Sequence, residues 1–386
     1  MATPEGPRVL FLVTEDWYFC SHRLPVARAL RDAGFRVGVA CRVANHGDTI
    51  RGEGFELIEI PMSRRSINPF HALATIFRII RAYKDFRPDI VHQVALKPAI
   101  LGSIAARFAG VPRVINAIAG LGFVFTSDRP KARMLRPILH LAFRALLDRD
   151  NGLVIVQNPD DGARLSESGA VDPKRIILIP GSGVDLDRFH PAPEPNGTVR
   201  VTLVARMIRE KGIDDMIEAA RILKDRNIDV SVTLAGDPDP ENPSSIPTAQ
   251  LEKWRSEGII EYLGHVENVA QLWAESHIAV LPSYYGEGIP LSLIEAAAAG
   301  LPMIAVDGPG LREVVIHDKT GLLIPARNAN ALAEAITTLA QDSDLRKRMG
   351  DGARQHAAKT FGSEAIAVKT LGVYRTLMGD QYPEQR

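Results

Sequence analysis

Apolar runs too continuous to leave one face wet recur through this chain, separated by stretches of helical pattern. They read RVLFLV (8–13), FRVGVAC (35–41), ELIEI (56–60), DIVHQV (89–94), PRVINAI (112–118), GLVIVQ (152–157) and RIILIP (175–180). Strands of this kind belong in a parallel sheet covered by helices on both faces. After GSGVDLDRFHPAPEPNGT (181–198) the rhythm restarts, with VRVTLVA (199–205), VSVTLAG (230–236), IIEYLG (259–264), IAVLPS (278–283), PMIAVD (302–307) and GLLIP (321–325). A restart, rather than a continuation, places a domain boundary within 183–198. The expected fold is α/β, with two doubly wound domains facing across a cleft. The first covers 1–183 and the second 184–363. A last helix over 364–380 has no strand after it and is expected to fold back on the first domain. Ligands of such sheets bind at the carboxyl ends of the strands, so the loops after strands are where chemistry is sought.

Composition sets the compartment. Charged residues make up 24% and hydrophobic ones 46% of 386 residues, the balance of a globular protein. Cys20 and Cys41 are too few for a disulfide framework and lack CxxC spacing, which points to a reducing cytoplasm. The N-terminus lacks a basic n-region and no run reaches the length of a membrane span, so neither export nor a spanning helix is expected. Zero net charge argues against a nucleic-acid partner. It conceals an asymmetry, because residues 1–190 carry 26 Lys and Arg against 19 Asp and Glu (+7), and residues 191–386 carry 20 against 27 (−7).

Three loops of the second half hold the candidate chemistry. In ARMIREKGIDDMIEAA, Arg206 follows a strand and Lys211 stands where the next helix begins. A helix start carries about half a positive charge, and two cations beside it make a diphosphate site; a solvated basic turn explains them equally well. In EGIPLSLIEAAAAGLP (287–302), Pro290 suits the first helical position and Gly300 a stop. Glu287 then lies ahead of the helix and Glu295 within it. Eight helical steps end about 80° off register, so the two carboxylates do not share one face. Between them the exposed N–H groups of the stretch 288–291 (Gly288, Ile289, Pro290, Leu291) are expected to point into the cleft. Such an arrangement can seat a nucleotide-sugar, one carboxylate taking sugar hydroxyls and the other ribose hydroxyls. The helix dipole alone accounts for Glu287 but not for Glu295 on an Ala-rich helix. The third loop, DGPGLREVVIHDKTGLLIP, is mostly turn chemistry. GDPDP, with Asp237 and Asp239 in metal-binding spacing, is read as a turn first.

Together, Arg206 to Lys211, the E-x7-E element at Glu287 and Glu295, and HDKTGLLIP resemble the donor domain of family 4 retaining glycosyltransferases, which have the two-Rossmann architecture called GT-B. The resemblance implies that Arg206 and Lys211 grip a donor diphosphate, most readily that of a UDP-sugar, that Glu287 contacts the donor sugar, and that Glu295 contacts the ribose. It further implies that GHVEN (264–268), through Val266, reads the nucleobase, and that Gly181 and Gly183 form a hinge and donor-phosphate loop, which a tight turn would also explain. No divalent metal and no cofactor are implied; the leaving phosphate deprotonates the acceptor hydroxyl on the same face.

The first half departs from the family pattern. TEDWYFCSHRLP (14–25) stands where many members have a Gly-rich loop, and Ala119 precedes Gly120 where many have a histidine. GLGFVF (120–125) resembles members that extend sugars on polyprenyl-diphosphate carriers. Candidate acceptor-side residues are Asp16, His22, Arg23, His92, Lys97 and Gly120. His92 ends a strand and is as readily a buried structural histidine. Residues 129–149 form a basic amphipathic pattern that either lies on an anionic bilayer or, more commonly, faces a core. The expected protein is a cytoplasmic glycosyltransferase at the inner face of the plasma membrane, acting on a lipid-linked or glycan acceptor in polysaccharide or lipopolysaccharide synthesis. A nucleotide-sugar epimerase of the same fold and a non-catalytic nucleotide-sugar binding protein are the alternatives.

Overall fold

A computed structural model describes residues 6–63, 68–121, 140–284 and 286–383. The chain divides into two compact units, one of residues 1–183 with 363–386 and the other of residues 184–362.

The first unit holds seven parallel strands: β1 (Arg8–Glu15), β2 (Arg36–Arg42), β3 (Glu56–Glu59), β4 (Ile90–Val94), β5 (Arg113–Ile118), β6 (Gly152–Val156) and β7 (Ile176–Leu178), in the order β3-β2-β1-β4-β5-β6-β7. Alternate residues of a strand point to opposite faces, and β1 shows the result. Val9, Phe11 and Val13 enter one core with Tyr374 and Met378, whereas Leu10 and Leu12 enter another with Ile79, Tyr83 and Phe86. Burial on both sides is why RVLFLV carries no polar alternation. The polar TEDW segment, which stands where many members have a Gly-rich loop, ends β1 and opens a helix, Asp16–His22, with a second helix Leu24–Asp32 after it. Asp16 makes this possible by accepting the backbone N–H groups of Trp17, Ala44 and His46 at 2.7–2.8 Å. The chain's last long helix, Ser363–Met378, packs in this unit against helix Leu24–Asp32.

The second unit repeats the design with β8 (Val199–Val204), β9 (Val230–Ala235), β10 (Glu261–Tyr262), β11 (Ile278–Leu281), β12 (Met303–Val306) and β13 (Gly321–Ile324), all parallel, in the order β10-β9-β8-β11-β12-β13. The chain winds outward from β8 to β10 and then returns to the other side of β8 at β11. In a parallel sheet the crevice at such a reversal is the natural ligand site, because the two departing loops diverge there. The first unit has the same reversal between β1 and β4.

Helix Pro69–Phe86 has an unusual surface. Its buried face is Thr75, Ile79, Ala82, Tyr83 and Phe86, yet Phe70, Leu73 and Phe77 are exposed on the other side, Phe70 at 79% and Phe77 at 62%. Arg78, Arg81 and Lys84 are exposed in the following turns. Of the basic pattern at 129–149, residues 129–139 lie outside the described residues. Residues 140–146 are helical and send Phe143 into a core that Leu147 also joins.

Candidate active site

The reversal in the second unit lies between β8 and β11, and both departing loops contribute to one cluster. After β8 a tight turn, Arg209–Lys211, leads into Gly212 at φ +77° and the helix Ile213–Asp225. A Cβ at Gly212 would stand 2.2 Å from the carbonyl oxygen of Pro282, so only glycine lets this turn run against the loop after β11. The backbone N–H of Tyr284 ties the two loops by donating to the Glu210 carbonyl at 3.1 Å. That approach sets Lys211 Nζ 2.5 Å from Glu287 Oε1, and Ser283 Oγ donates to the same oxygen at 2.7 Å. The two charged side chains retain only 14% and 12% of their exposure. A charge pair so withdrawn from water is strongly coupled, and an incoming anion must compete with Glu287 for Lys211.

Arg206, at the same edge, is anchored differently. Its Nη1 lies 2.5 Å from Oδ2 of Asp239, a buried residue whose other oxygen accepts the backbone N–H of Glu241 at 3.2 Å. The Arg206 side chain is otherwise exposed, so one edge of the guanidinium is fixed and the other is available. GDPDP is therefore a turn that also supplies the carboxylate holding Arg206.

Pro290 is the N-cap of the helix, not its first residue, and the helix runs Leu291–Ala298, ending before Gly300. The short helix follows from a buried approach: Gly288, Ile289 and Pro290 are all buried, and Gly310, at φ +81°, comes so near that a Cβ there would stand 1.6 Å from the Gly288 carbonyl oxygen. The loop after β12 thus packs on the Glu287 loop. Leu291 is half-buried, and no side chain caps the helix start.

Glu295 does not join the Lys211–Glu287 cluster. Burial pushes its carboxyl up to about 7, against the opposing pull of the Arg188 guanidinium and the Trp273 indole. The residue is nonetheless only half-buried, so the carboxyl can still meet a ligand. Val266 is half-buried in the loop after β10, beside Gly264, whose carbonyl accepts the Gly236 N–H at 2.7 Å.

In the first unit the structure corrects two candidates. Asp16 is fully buried, and burial, which would raise its pKa, is outweighed by the N–H groups of His46, Ala44 and Trp17, which hold its carboxyl below the usual value. Its oxygens are committed to folding the loop, so it does not face an acceptor. His92 lies inside β4 rather than at its end, fully buried, stacked on Phe11 at 4.9 Å and with Nδ1 2.7 Å from the Tyr374 hydroxyl. Burial drives its pKa well down, so it is a neutral core histidine. Lys97, second in helix Leu96–Ala109, is half-buried with Nζ 2.5 Å from the Ser63 carbonyl oxygen. His22 is half-buried and stacks on Tyr18 at 4.1 Å; burial, with Arg23 next, pushes its pKa down to about 3. Arg23 is buried. Gly120, half-buried, has φ +96°, and all of GLGFVF beyond Leu121 lies outside the described residues. Gly181 and Gly183 both have positive φ, and a Cβ on Gly183 would stand 2.8 Å from the Ser363 Cα, which explains that glycine by close approach to the last helix.

Sequence reasoning missed Ser283 and the role of Asp239. Ser283 stands four residues before Glu287 and could have been found by asking what holds that carboxylate; Asp239 could not, because its partner lies 33 residues away on another loop.

Comparison with known proteins adds the following. The family model described as glycosyl transferases group 1 matches residues 187–356, and the one described as glycosyl transferase 4-like matches residues 8–156. The chain is 28% identical over 365 residues to the N,N'-diacetylbacillosaminyl-diphospho-undecaprenol alpha-1,3-N-acetylgalactosaminyltransferase of Campylobacter jejuni, covering 91% of this chain and 94% of that one. It is 26% identical over 324 residues to the UDP-Gal:alpha-D-GlcNAc-diphosphoundecaprenol alpha-1,3-galactosyltransferase of Escherichia coli, covering 81% of each. The crystal structure of Anabaena HepE in complex with UDP-glucose matches with a TM-score of 0.76 at 18% identity, over 96% of this chain and 99% of that one, a likeness of fold.

Proposed function

The chain belongs to the glycosyltransferases, group 1 in its second half and 4-like in its first, and on that premise we propose a retaining, metal-independent transfer of a hexosyl or N-acetylhexosaminyl group. The donor is a nucleoside-diphosphate sugar, a UDP-sugar first. The acceptor is a hydroxyl of a glycan on a polyprenyl diphosphate, in the synthesis of a cell-surface polysaccharide or glycoconjugate. Family membership favours transfer over the epimerase and the non-catalytic binding protein.

The observation that carries this reading is the cluster of Lys211, Glu287 and Ser283 at the strand reversal of the second unit. Lys211 and the open edge of Arg206 receive the donor diphosphate. Glu287, released as Lys211 turns to phosphate and still held by Ser283, accepts from hydroxyls of the donor sugar. The uncapped helix start around Gly288, Ile289, Pro290 and Leu291 adds its dipole. Glu295 takes the ribose hydroxyls, and the backbone at Val266 takes the base. In the reaction the acceptor oxygen bonds to the sugar's anomeric carbon while the bond from that carbon to the phosphate oxygen breaks. The acceptor's proton passes to the departing diphosphate. Negative charge grows on that diphosphate in the transition state, and fixed cations stabilise it there more than in the ground state.

The acceptor reading rests on the names of the two curated relatives, each of which acts on a sugar linked through diphosphate to undecaprenol and forms an alpha-1,3 linkage. From a donor whose sugar is alpha-linked to its diphosphate, an alpha product is net retention. A lipid-linked acceptor requires the protein to work at a membrane surface. Among the described residues no helix is long and apolar enough to cross a membrane. Helix Pro69–Phe86 offers the alternative, an exposed stripe of Phe70, Leu73 and Phe77 continued by Arg78, Arg81 and Lys84, suited to the anionic inner face of the plasma membrane.

The test is transfer of radiolabelled sugar from UDP-sugars to membrane-extracted polyprenyl-diphosphate glycans by the wild type and Lys211→Ala. Turnover should fall by about two to three orders of magnitude in the variant. Near-normal turnover would remove Lys211 from the site.

A further inference from the structure

Arg23 is 6% exposed, yet its Nε has no hydrogen-bond partner and its guanidinium forms no salt bridge with any described residue. A buried cation without a carboxylate is a large liability: guanidinium stays charged at any ordinary pH, and removing it from water costs several kcal/mol unless an anion or a full set of acceptors compensates. Among the described residues none forms a salt bridge with it, and the Tyr18 hydroxyl is the acceptor it has. Glu15 and Asp16, the carboxylates nearest in sequence, are engaged by Arg42 and Trp17 and by three backbone N–H groups respectively. Burial opposes its charge most, as do the imidazoles of His22 and His92; the groups that favour it are the phenols of Tyr18, whose hydroxyl oxygen accepts a hydrogen bond from the guanidinium, and Tyr374.

The position is also specific. Arg23 stands at the junction of two helices, as C-cap of Asp16–His22 and N-cap of Leu24–Asp32, and makes no side-chain cap bond to the second, so the two helix ends act on the guanidinium with opposite sign. The helix pair Asp16–His22 and Leu24–Asp32 leaves the carboxyl end of β1, one of the two strands at the first unit's reversal, which is where ligands of such a sheet bind. Tyr18, whose hydroxyl accepts from Arg23, stacks on His22, and both rings are only half-buried, so the buried guanidinium has half-exposed residues beside it.

We propose that Arg23 is the receptor of a phosphate oxyanion in the first unit, and that the anion is the diphosphate of the lipid-linked acceptor. The assignment of the source rests on the acceptor reading above; the assignment of the site does not. In this account the unliganded protein carries a buried charge with no counter-ion among the described residues, which the acceptor neutralises, so recognition of the diphosphate and relief of that burial are one event. Tyr18 and His22, the latter kept uncharged by its burial, form a rim that offers hydrogen bonds.

Thermal unfolding and acceptor kinetics test it together. Inorganic pyrophosphate is titrated against a Lys211→Ala background, which weakens its binding at the donor cations, with and without Arg23→Met or Arg23→Lys. Pyrophosphate should raise the Tm when Arg23 is present and leave it unmoved in the Met variant, whose ligand-free Tm should equal or exceed that of its parent. With Lys211 intact, Arg23→Met should raise the KM for a polyprenyl-diphosphate acceptor about tenfold or more and leave the donor KM unchanged, Arg23→Lys recovering part of the loss. A ligand-free Tm that drops by several degrees in the Met variant, with the pyrophosphate response intact, makes Arg23 a structural group and overturns the proposal. A pyrophosphate response that needs Arg23 in a protein that ignores lipid-diphosphate acceptors upholds the anion site and overturns the acceptor assignment instead.

Discussion

Burial of Glu295 gives the second unit a pH signature that a surface carboxylate would not. Its carboxyl titrates at about 7 in the folded protein, against an ordinary 4.5 that the unfolded chain retains. Between those values the native state binds the extra proton, so this residue's contribution to stability declines as pH rises from 4.5 to 7 and stays at its low level above. Glu295→Gln abolishes that decline, and urea unfolding at pH 5 and pH 8 should show the variant gaining on the wild type at the higher pH. If the ionised form is what meets the ribose, donor KM in the wild type should improve as pH rises through 7, with no such trend in the Gln variant. A pH-independent gap between the two proteins contradicts both statements. Glu287, eight residues earlier in the same segment, belongs to a different environment, because a lysine and a serine hold it. Two glutamates of one motif therefore differ in surroundings through their neighbours, not their type.

At the scale of elements, the helix Pro69–Phe86 is where sequence pattern was least informative. It is apolar on more than one side: Ile79, Tyr83 and Phe86 serve the core while Phe70, Leu73 and Phe77 meet solvent. Periodicity reports that a helix is amphipathic but not which apolar residues find partners when it has several. The basic pattern at 129–149 drew attention for its charge, and the part of it that is described contributes Phe143 to a core. Phe70→Ser combined with Phe77→Ser should lower co-sedimentation with phosphatidylglycerol vesicles about tenfold or more, since two large rings leave the interface. Because both rings are exposed, stability should change by less than about 1 kcal/mol. Equal pelleting of variant and wild type excludes this helix as the membrane contact.

For the whole molecule, the two units differ in how the chain builds them. The second is one continuous segment, 184–362, with its own core from Val184 to Phe361. The first needs the distant segment 363–386, whose Ile366, Val373, Tyr374 and Met378 are buried in the same core as Val9, Phe11 and Val13. A fragment of residues 184–362 should therefore unfold cooperatively by itself, while a fragment of residues 1–183 should do so only when residues 363–386 are supplied; circular dichroism melts decide, and a cooperative melt of 1–183 alone refutes the dependence. The local signals were enough for the architecture. Each of the thirteen apolar runs holds a strand of the described residues, the central ones apolar along their length because the sheet is covered on both faces, and the loops after β8 and β11 stand out because cations and glutamates gather there at helix starts. Other features were decided only when the chain closed on itself. Lys211 and Glu287 meet across 76 residues. His92 and Asp16, which resembled ligands, turned out to be core and loop fastenings, and Arg23 turned out to be buried without a counter-ion among the described residues. The physical reason is that strand and turn chemistry acts over a few residues, whereas charge state, burial and hydrogen-bond partners are set by whatever the fold brings alongside, and a single sequence does not contain those distances.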